Sequence, residues 1–232
     1  MKKSSGTPKL LASVISKKTE GGNHSPPRIR DAETTQKRIL AAAKREFAMN
    51  GLSGARVDII ADKADANKRM IYHYFGSKEA LFTRTLEDAY MELYIAEQSL
   101  QLDHLGPVSA LESLVRFTWN YYLENPEFLS LVNSANLHKA AHLQNSKVMS
   151  AINRNRAHMM EFLLKRGEDS GVFRSGVDAM QLNITIAAIG YYYLTNRFTG
   201  SIIFECNFMA PKMLKKRIDF NIDTIKRIIC IE

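Results

Sequence analysis

Five side chains in one short stretch carry chemistry suited to the edges of stacked bases. Lys68, Arg69, Met70, Tyr72 and His73 share the part of a helix not taken up by Ile71, Tyr74 and Phe75. Arg or Lys can pair with guanine edges, and an apolar side chain can meet the thymine methyl, in a major groove that admits an α-helix. The helix would open at Asn67, where unpaired backbone N–H groups favour a phosphate. Such a face can read DNA only if a rigid support aims it, and the flanking residues supply one.

Residues 57–64 and 67–75 read as two short helices joined by a tight turn, a helix-turn-helix. Ala61 offers the small side chain that a close helix crossing needs. Val57, Ile60, Ala64, Ala66, Ile71 and Tyr74 point into a shared core. Asp65 falls where the turn requires a left-handed backbone, a place best suited to Gly and tolerable for Asp. Upstream, Ile39, Leu40, Ala43 and Phe47 repeat at helical spacing from a start near Asp31 to a stop at Asn50-Gly51. Downstream, Ser77 can cap a long fourth helix whose apolar face is Leu81, Phe82, Leu86, Ala89, Tyr90 and Leu93.

The run Ile71-Tyr72-His73-Tyr74-Phe75-Gly76-Ser77-Lys78-Glu79-Ala80-Leu81 resembles the signature that closes the DNA-binding head of the TetR family of transcriptional regulators. The helix over 38–47, Gly51 and Val57-Asp58-Ile59-Ile60-Ala61 also match that family in type and spacing. The resemblance covers about residues 33–82; beyond them only the length and helical character of the body correspond. It implies a third helix in the major groove, with Lys68, Arg69, Met70 and Tyr72 near bases or phosphates. His73 and Lys78 would lie on the sugar-phosphate backbone. It further implies a homodimer on palindromic double-stranded DNA, a small-molecule effector bound by the body, and repression released by an inducer. Two departures stand out. Asp65 replaces the usual turn glycine, and Ala55-Arg56 replaces the usual Thr/Ser opening of the second helix. Loss of that cap costs on the order of 1 kcal/mol, which Arg56 can partly recover by gripping a phosphate. Arg69 stands where the family often has a small residue, so an unusual base preference is expected.

The charge map agrees with a polyanion at one end of the chain. The 232 residues carry a net charge of +8. Residues 1–30 hold seven Lys or Arg against Glu20 alone, residues 31–75 hold eight against six acids, and the remainder holds seventeen of each sign. The excess is confined to the first third, and the body is neutral. Residues 1–28, rich in Ser, Gly, Pro and Lys, read as a disordered basic arm, either a DNA contact or an inert leader. Lys44 and Arg45 read as a solvated face. Cys206 and Cys230 alone make no disulfide framework. The apolar stretch at 10–15 is too short for a signal peptide. The stretch at 184–194 falls well short of the ~20 residues that cross a bilayer. A cytoplasmic protein without a membrane partner is expected.

Further helices are expected at about 108–124, 127–140, 146–167, 178–198 and 211–230, punctuated by Asn125-Pro126, Ser170-Gly171 and Pro211. The chain is therefore expected to be all-α with about nine helices: a three-helix head over 29–77 and a ligand-binding and dimerisation body over 78–232. Trp119, Tyr122, Phe173 and Tyr192, with His138 as a polar handle, are candidate pocket walls, although each also reads as plain core. His138 and His142 stand one helical turn apart and could hold a metal with His158. No Glu follows His138 as the metalloprotease motif requires, so two polar handles on an amphipathic helix, with no metal and no cofactor, are expected. The 178–198 helix is apolar nearly all round, and the last helix carries an apolar stripe. Leu182, Ile186, Ile189, Leu214, Ile218 and Ile225 are the candidate dimer contacts, similar to the family's four-helix interface. No phosphate-cradling glycine loop, nucleophile elbow or metal signature points to an enzyme. A nonspecific architectural DNA binder would account for the basic arm but not for the neutral, ligand-sized body.

Overall fold

The structure, a computed structural model, describes residues 27–231. The expected basic arm lies, up to residue 26, outside the described residues. Among the described residues there are ten α-helices. They are α1 (Pro27–Gly54), α2 (Val57–Lys63), α3 (Lys68–Phe75), α4 (Lys78–Gln98), α5 (Pro107–Glu124), α6 (Pro126–Leu137), α7 (Lys147–Asp169), α8 (Ala179–Thr195), α9 (Arg197–Ile203) and α10 (Pro211–Ile229). Helix α1 starts at Pro27, ahead of Asp31, because a proline in the first turn gives up no intrahelical hydrogen bond. It is broken at Gly51, whose φ of 64° is open to glycine at no steric cost. Helix α6 stops at Leu137, and Lys139 and Ala140 turn left-handed behind it.

The chain divides into two compact units. One takes the described residues up to Ile95 together with Ser130–Asn153, and the other takes Ala96–Leu129 together with the chain from Arg154 onward. In the first unit Ile39, Ala43 and Phe47 of α1 meet Ile60 of α2, Ile71 of α3 and Leu81 and Phe82 of α4 in a fully buried core. Phe47 and Phe82 pack edge to face, 5.0 Å between ring centres. The last residues of α1, beyond the break at Gly51, are tied to the end of α6, because the Leu52 N–H donates to the Ser134 hydroxyl at 3.1 Å.

In the second unit α5 packs against α8 and α10. Trp119 and Tyr122 lie beside Gly190, where an added Cβ would stand 3.5 Å from Tyr122 and 3.7 Å from Trp119. Glu97, buried, receives two hydrogen bonds of 2.9 Å from the Arg156 guanidinium. The helix expected over 178–198 is two helices. It ends at Thr195, and α9 follows after Asn196. Gly200 lets α9 settle on Phe208, since a Cβ there would be 2.6 Å from the ring.

Candidate nucleic-acid interface

The turn between α2 and α3 fixes how the candidate face is presented. Asp65 adopts φ 48°, the left-handed conformation expected of it. Its N–H donates to the Asp62 carbonyl at 3.2 Å, and the Ala66 N–H donates to the Ala61 carbonyl at 3.0 Å. That pair of bonds is a Schellman motif, which satisfies two of the carbonyls left open where a helix ends. Arg38 of α1 steadies the turn from outside, donating to the Asp65 carboxylate at 3.1 Å and to its carbonyl at 3.3 Å. Two residues beyond Asp65, the Asn67 side chain accepts from the Met70 N–H at 2.9 Å and caps α3.

Helix α2 opens without a side-chain cap of its own. The Arg56 N–H instead donates, at 3.3 Å, to Glu46, a carboxylate only 2% exposed. Glu46 also accepts from Asn50 at 2.9 Å and Lys63 at 3.3 Å. Sequence reasoning passed over this residue, although the signal was present: Glu46 falls on the same helical stripe as Ile39, Ala42, Ala43 and Phe47, and a carboxylate there must find partners. The exposed Arg56 guanidinium forks onto Asp58 at 2.6 and 3.2 Å, and that hydrogen bonding holds the Asp58 carboxyl below its usual pKa.

Helix α3 is anchored by Ile71, 1% exposed, with Tyr74 and Phe75 half-buried. Asn67, Lys68, Arg69, Tyr72 and His73 are exposed, and Met70 is half-buried at their edge. Neither Lys68 nor Arg69 forms an ion pair with another described residue, so both cations are available to an external anion. Gly76 (φ 82°) ends the helix, and the Ser77 hydroxyl accepts from the Ala80 N–H at 3.0 Å to cap α4. Lys78 is half-buried, its Nζ donating to the Ser53 carbonyl at 3.1 Å. Arg56 and Lys78 are thus both engaged within the head.

The candidate pocket residues fall in both units. Trp119, Tyr122 and Phe173 are buried in packing, with Phe173 filling the space above Gly167. Tyr192 is 66% exposed. His138 belongs to the first unit, its Nε2 3.4 Å from the Ser53 hydroxyl and its ring 6.3 Å from that of His142. Among the described residues no group of three or more His, Cys, Asp or Glu is placed to hold a metal.

The candidate dimer residues sit at two depths within the chain. Leu182 and Ile186 of α8 and Ile218 and Ile225 of α10 are buried inside the chain itself, and Ile189 and Leu214 are half-buried. A side chain already buried has no surface to give a partner. The large apolar side chains left exposed are Met180, Ile184 (52% exposed) and Tyr192 on α8, with Phe220 (59%) and Ile228 on α10.

Comparison with known proteins places this arrangement. Residues 39–85 match the family model for bacterial regulatory proteins of the tetR family, and residues 107–225 match the tetracyclin repressor-like C-terminal domain. The chain is 37% identical over 190 residues to the HTH-type transcriptional repressor NicS of Pseudomonas putida, covering 82% of this chain and 87% of that one. It is 40% identical over 103 residues to the HTH-type transcriptional repressor SCO4008 of Streptomyces coelicolor, covering 44% and 50%. A solved TetR-family regulator from Marinobacter aquaeolei VT8 shares the fold, with a TM-score of 0.67 at 18% identity over 88% of this chain and 100% of that one. So does SCO4942 from Streptomyces coelicolor, with a TM-score of 0.66 at 24% identity over 84% and 98%.

Proposed function

The chain belongs to the TetR family and is a DNA-binding transcriptional regulator; we propose that it works as a homodimeric repressor that leaves a palindromic operator when a small molecule binds its body. The observation that carries the proposal is the exposed face of α3, with Lys68 and Arg69 in no ion pair among the described residues and the helix held by the Asp65 turn and the Asn67 cap. Two such helices related by a two-fold axis would enter successive major grooves, with half-sites about one helical turn of DNA apart. Lys68, Arg69, Met70 and Tyr72 would face base edges or phosphates. Asn67, His73, Arg56 and Lys78 would hold the backbone.

The dimer would form through the outward faces of α8 and α10, where Ile184, Tyr192 and Phe220 offer apolar area to an identical surface. The working division is a head over 29–77 and an effector-binding, dimerising body over 78–232. The match of residues 107–225 to a tetracyclin repressor-like domain supports an effector in that body, with Trp119 and Tyr122 as candidate walls. The sign of regulation is taken from the relatives named as repressors. No helix among the described residues is long and apolar enough to cross a membrane, in keeping with action on DNA in the cytoplasm.

Footprinting the promoter DNA beside the gene for this chain tests the proposal. A protected palindrome with two-fold symmetry is expected. Uniform protection along the DNA would instead mark a nonspecific architectural binder.

A further inference from the structure

The compact unit that holds α3 also takes in Ser130–Asn153, a stretch that follows α5 in the chain. Three contacts fasten it beside the opening of α2 and the first turns of α4. The Ser134 hydroxyl accepts from the Leu52 N–H at 3.1 Å, and His138 Nε2 lies 3.4 Å from the Ser53 hydroxyl. His142 packs edge-on against Phe82, with ring centres 6.0 Å apart. Ser53 is thus touched from two sides, since its carbonyl accepts from Lys78 Nζ at 3.1 Å. The residue after His138 is Lys139.

Charge in this stretch is one-sided. Residues 128–160 contain no Asp or Glu, and Lys139 and Lys147 are the only Lys or Arg between residues 130 and 153. Lys139 is exposed and forms no ion pair with another described residue. The acids of the head and of α4 near it are already engaged: Glu46 with Lys63 and Asn50, Asp58 with Arg56, and Glu87 with Arg84 and Ser146. Glu79 is held by hydrogen bonds from its own N–H and from Ser77. The backbone also singles Lys139 out. It follows α6 at φ 56°, its N–H donating to the Asn136 carbonyl at 2.9 Å and the Ala140 N–H to the Ala135 carbonyl at 2.8 Å, a Schellman motif. The left-handed residue of that motif is usually glycine, because a Cβ is crowded there. A lysine in its place presents an exposed charge at a backbone cost that glycine avoids.

We infer that Lys139 is a DNA contact outside the helix-turn-helix, gripping a backbone phosphate next to the one held by Lys78 and extending the footprint beyond α3. The two lysines flank Ser53: Lys78 sits on its carbonyl, and Lys139 adjoins the histidine at its hydroxyl. A cation with no acid of its own gains there by neutralising the next phosphate and releasing its counterion. The contact is blind to sequence, adding affinity and register but no base preference. It rests on the seating of DNA along α3 and Lys78, and needs neither the effector nor the palindrome.

Fluorescence anisotropy of the full chain on a random-sequence duplex, across a salt series, tests the inference. Lys139→Ala is expected to keep the wild-type melting curve, to weaken binding several-fold at low salt, and to lower the slope of log affinity against log salt by about one per subunit. Lys139→Arg, which keeps the charge, is expected to restore both. Lys147→Ala removes the same charge from the same stretch at a different place. Its neighbour Ser146 donates to Glu87 at 2.6 Å, and Glu87 stands nine residues, about 13 Å, along α4 from Lys78. That separation exceeds the ~10 Å over which 0.1 M salt leaves a charge unscreened, so Lys147→Ala is expected to leave the slope unchanged. An equal fall with Lys147→Ala overturns the contact in favour of diffuse net charge. A lowered melting temperature as the only effect of Lys139→Ala overturns it in favour of a cation on the last carbonyls of α6. An unchanged slope with Lys139→Ala, where Lys78→Ala lowers it, overturns this contact and leaves the reading of α3 standing. Wild-type binding that is insensitive to salt overturns both.

Discussion

Arg38 holds Asp65 at two points, its carboxylate at 3.1 Å and its carbonyl at 3.3 Å, and so braces the left-handed residue on which the approach of α3 depends. A non-glycine residue at φ 48° carries a backbone cost of roughly 1–2 kcal/mol, and an exposed ion pair returns at most about 1 kcal/mol of it. Asp65→Ala, which keeps the cost and removes the pair, should therefore lower stability by up to about 1 kcal/mol. Asp65→Gly, which removes both, should lie within about 1 kcal/mol of the wild type. Urea denaturation of the three proteins measures the difference; Gly and Ala behaving alike would mean that the turn is unstrained.

The buried pair of Glu97 and Arg156 should be costly to break and cheap to replace. Arg156→Met leaves Glu97 buried and unanswered, and should cost about 3–5 kcal/mol. Adding Glu97→Met should return most of that loss. Denaturant midpoints of the single and double variants decide it, and an equally unstable double variant would contradict the account.

The same carboxylate predicts a pH dependence. Burial raises the Glu97 pKa above its usual value, with Arg156 opposing the shift. Between the usual value and the raised one, the folded protein holds more protons than the unfolded chain. Stability should therefore fall as pH rises through that window, from just above the ordinary carboxylate range upward. Glu97→Gln should flatten the slope, as read from urea midpoints at successive pH values.

On α8, two positions two residues apart should separate folding from association. Ile186, buried inside the chain, should cost about 2–5 kcal/mol as Ile186→Ala. Ile184→Glu, on the outward face, should leave the fold intact and shift sedimentation from dimer to monomer. A dimer that survives Ile184→Glu would place the interface on another surface.

The head was far more legible in the sequence than the body, for physical reasons. Ala61, Asp65, Asn67, Ile71 and Ser77 each sit where local geometry admits few residue types, and the structure has them performing those local roles. Helix α8 gave no such signal, because a helix apolar nearly all round does not say which stripe meets the chain's own core. The stripe through Leu182 and Ile186 is covered by the chain itself, leaving Ile184 and Tyr192 outside. The break at Asn196 was hidden likewise, since Phe198, Ile202 and Ile203 continue the apolar composition past the helix end. Arg56 reads in the sequence as a residue able to grip a phosphate; its pairing with Asp58, an exposed neighbour that spacing alone does not favour as a partner, was not legible there. Glu46 was legible in principle, as a charge on a buried stripe.

Lys78 should contribute affinity without selectivity. Its ammonium rests on the Ser53 carbonyl within the head, a bond that the proposed function has it exchange for a phosphate oxygen. Lys78→Ala should weaken every DNA sequence alike and lower the slope of log affinity against log salt by about one per subunit. Fluorescence anisotropy across a salt series on specific and scrambled duplexes reads both effects.

Arg69 tests the central claim, that the exposed face of α3 reads bases, most directly. Wild type and Arg69→Ala would each select binding sites from a random duplex library at one fixed salt concentration. The account predicts a two-fold symmetric motif for the wild type. It predicts that the variant loses preference at one base pair in each half-site and binds the parent site roughly 1–3 kcal/mol more weakly. Identical motifs from the two proteins would contradict it.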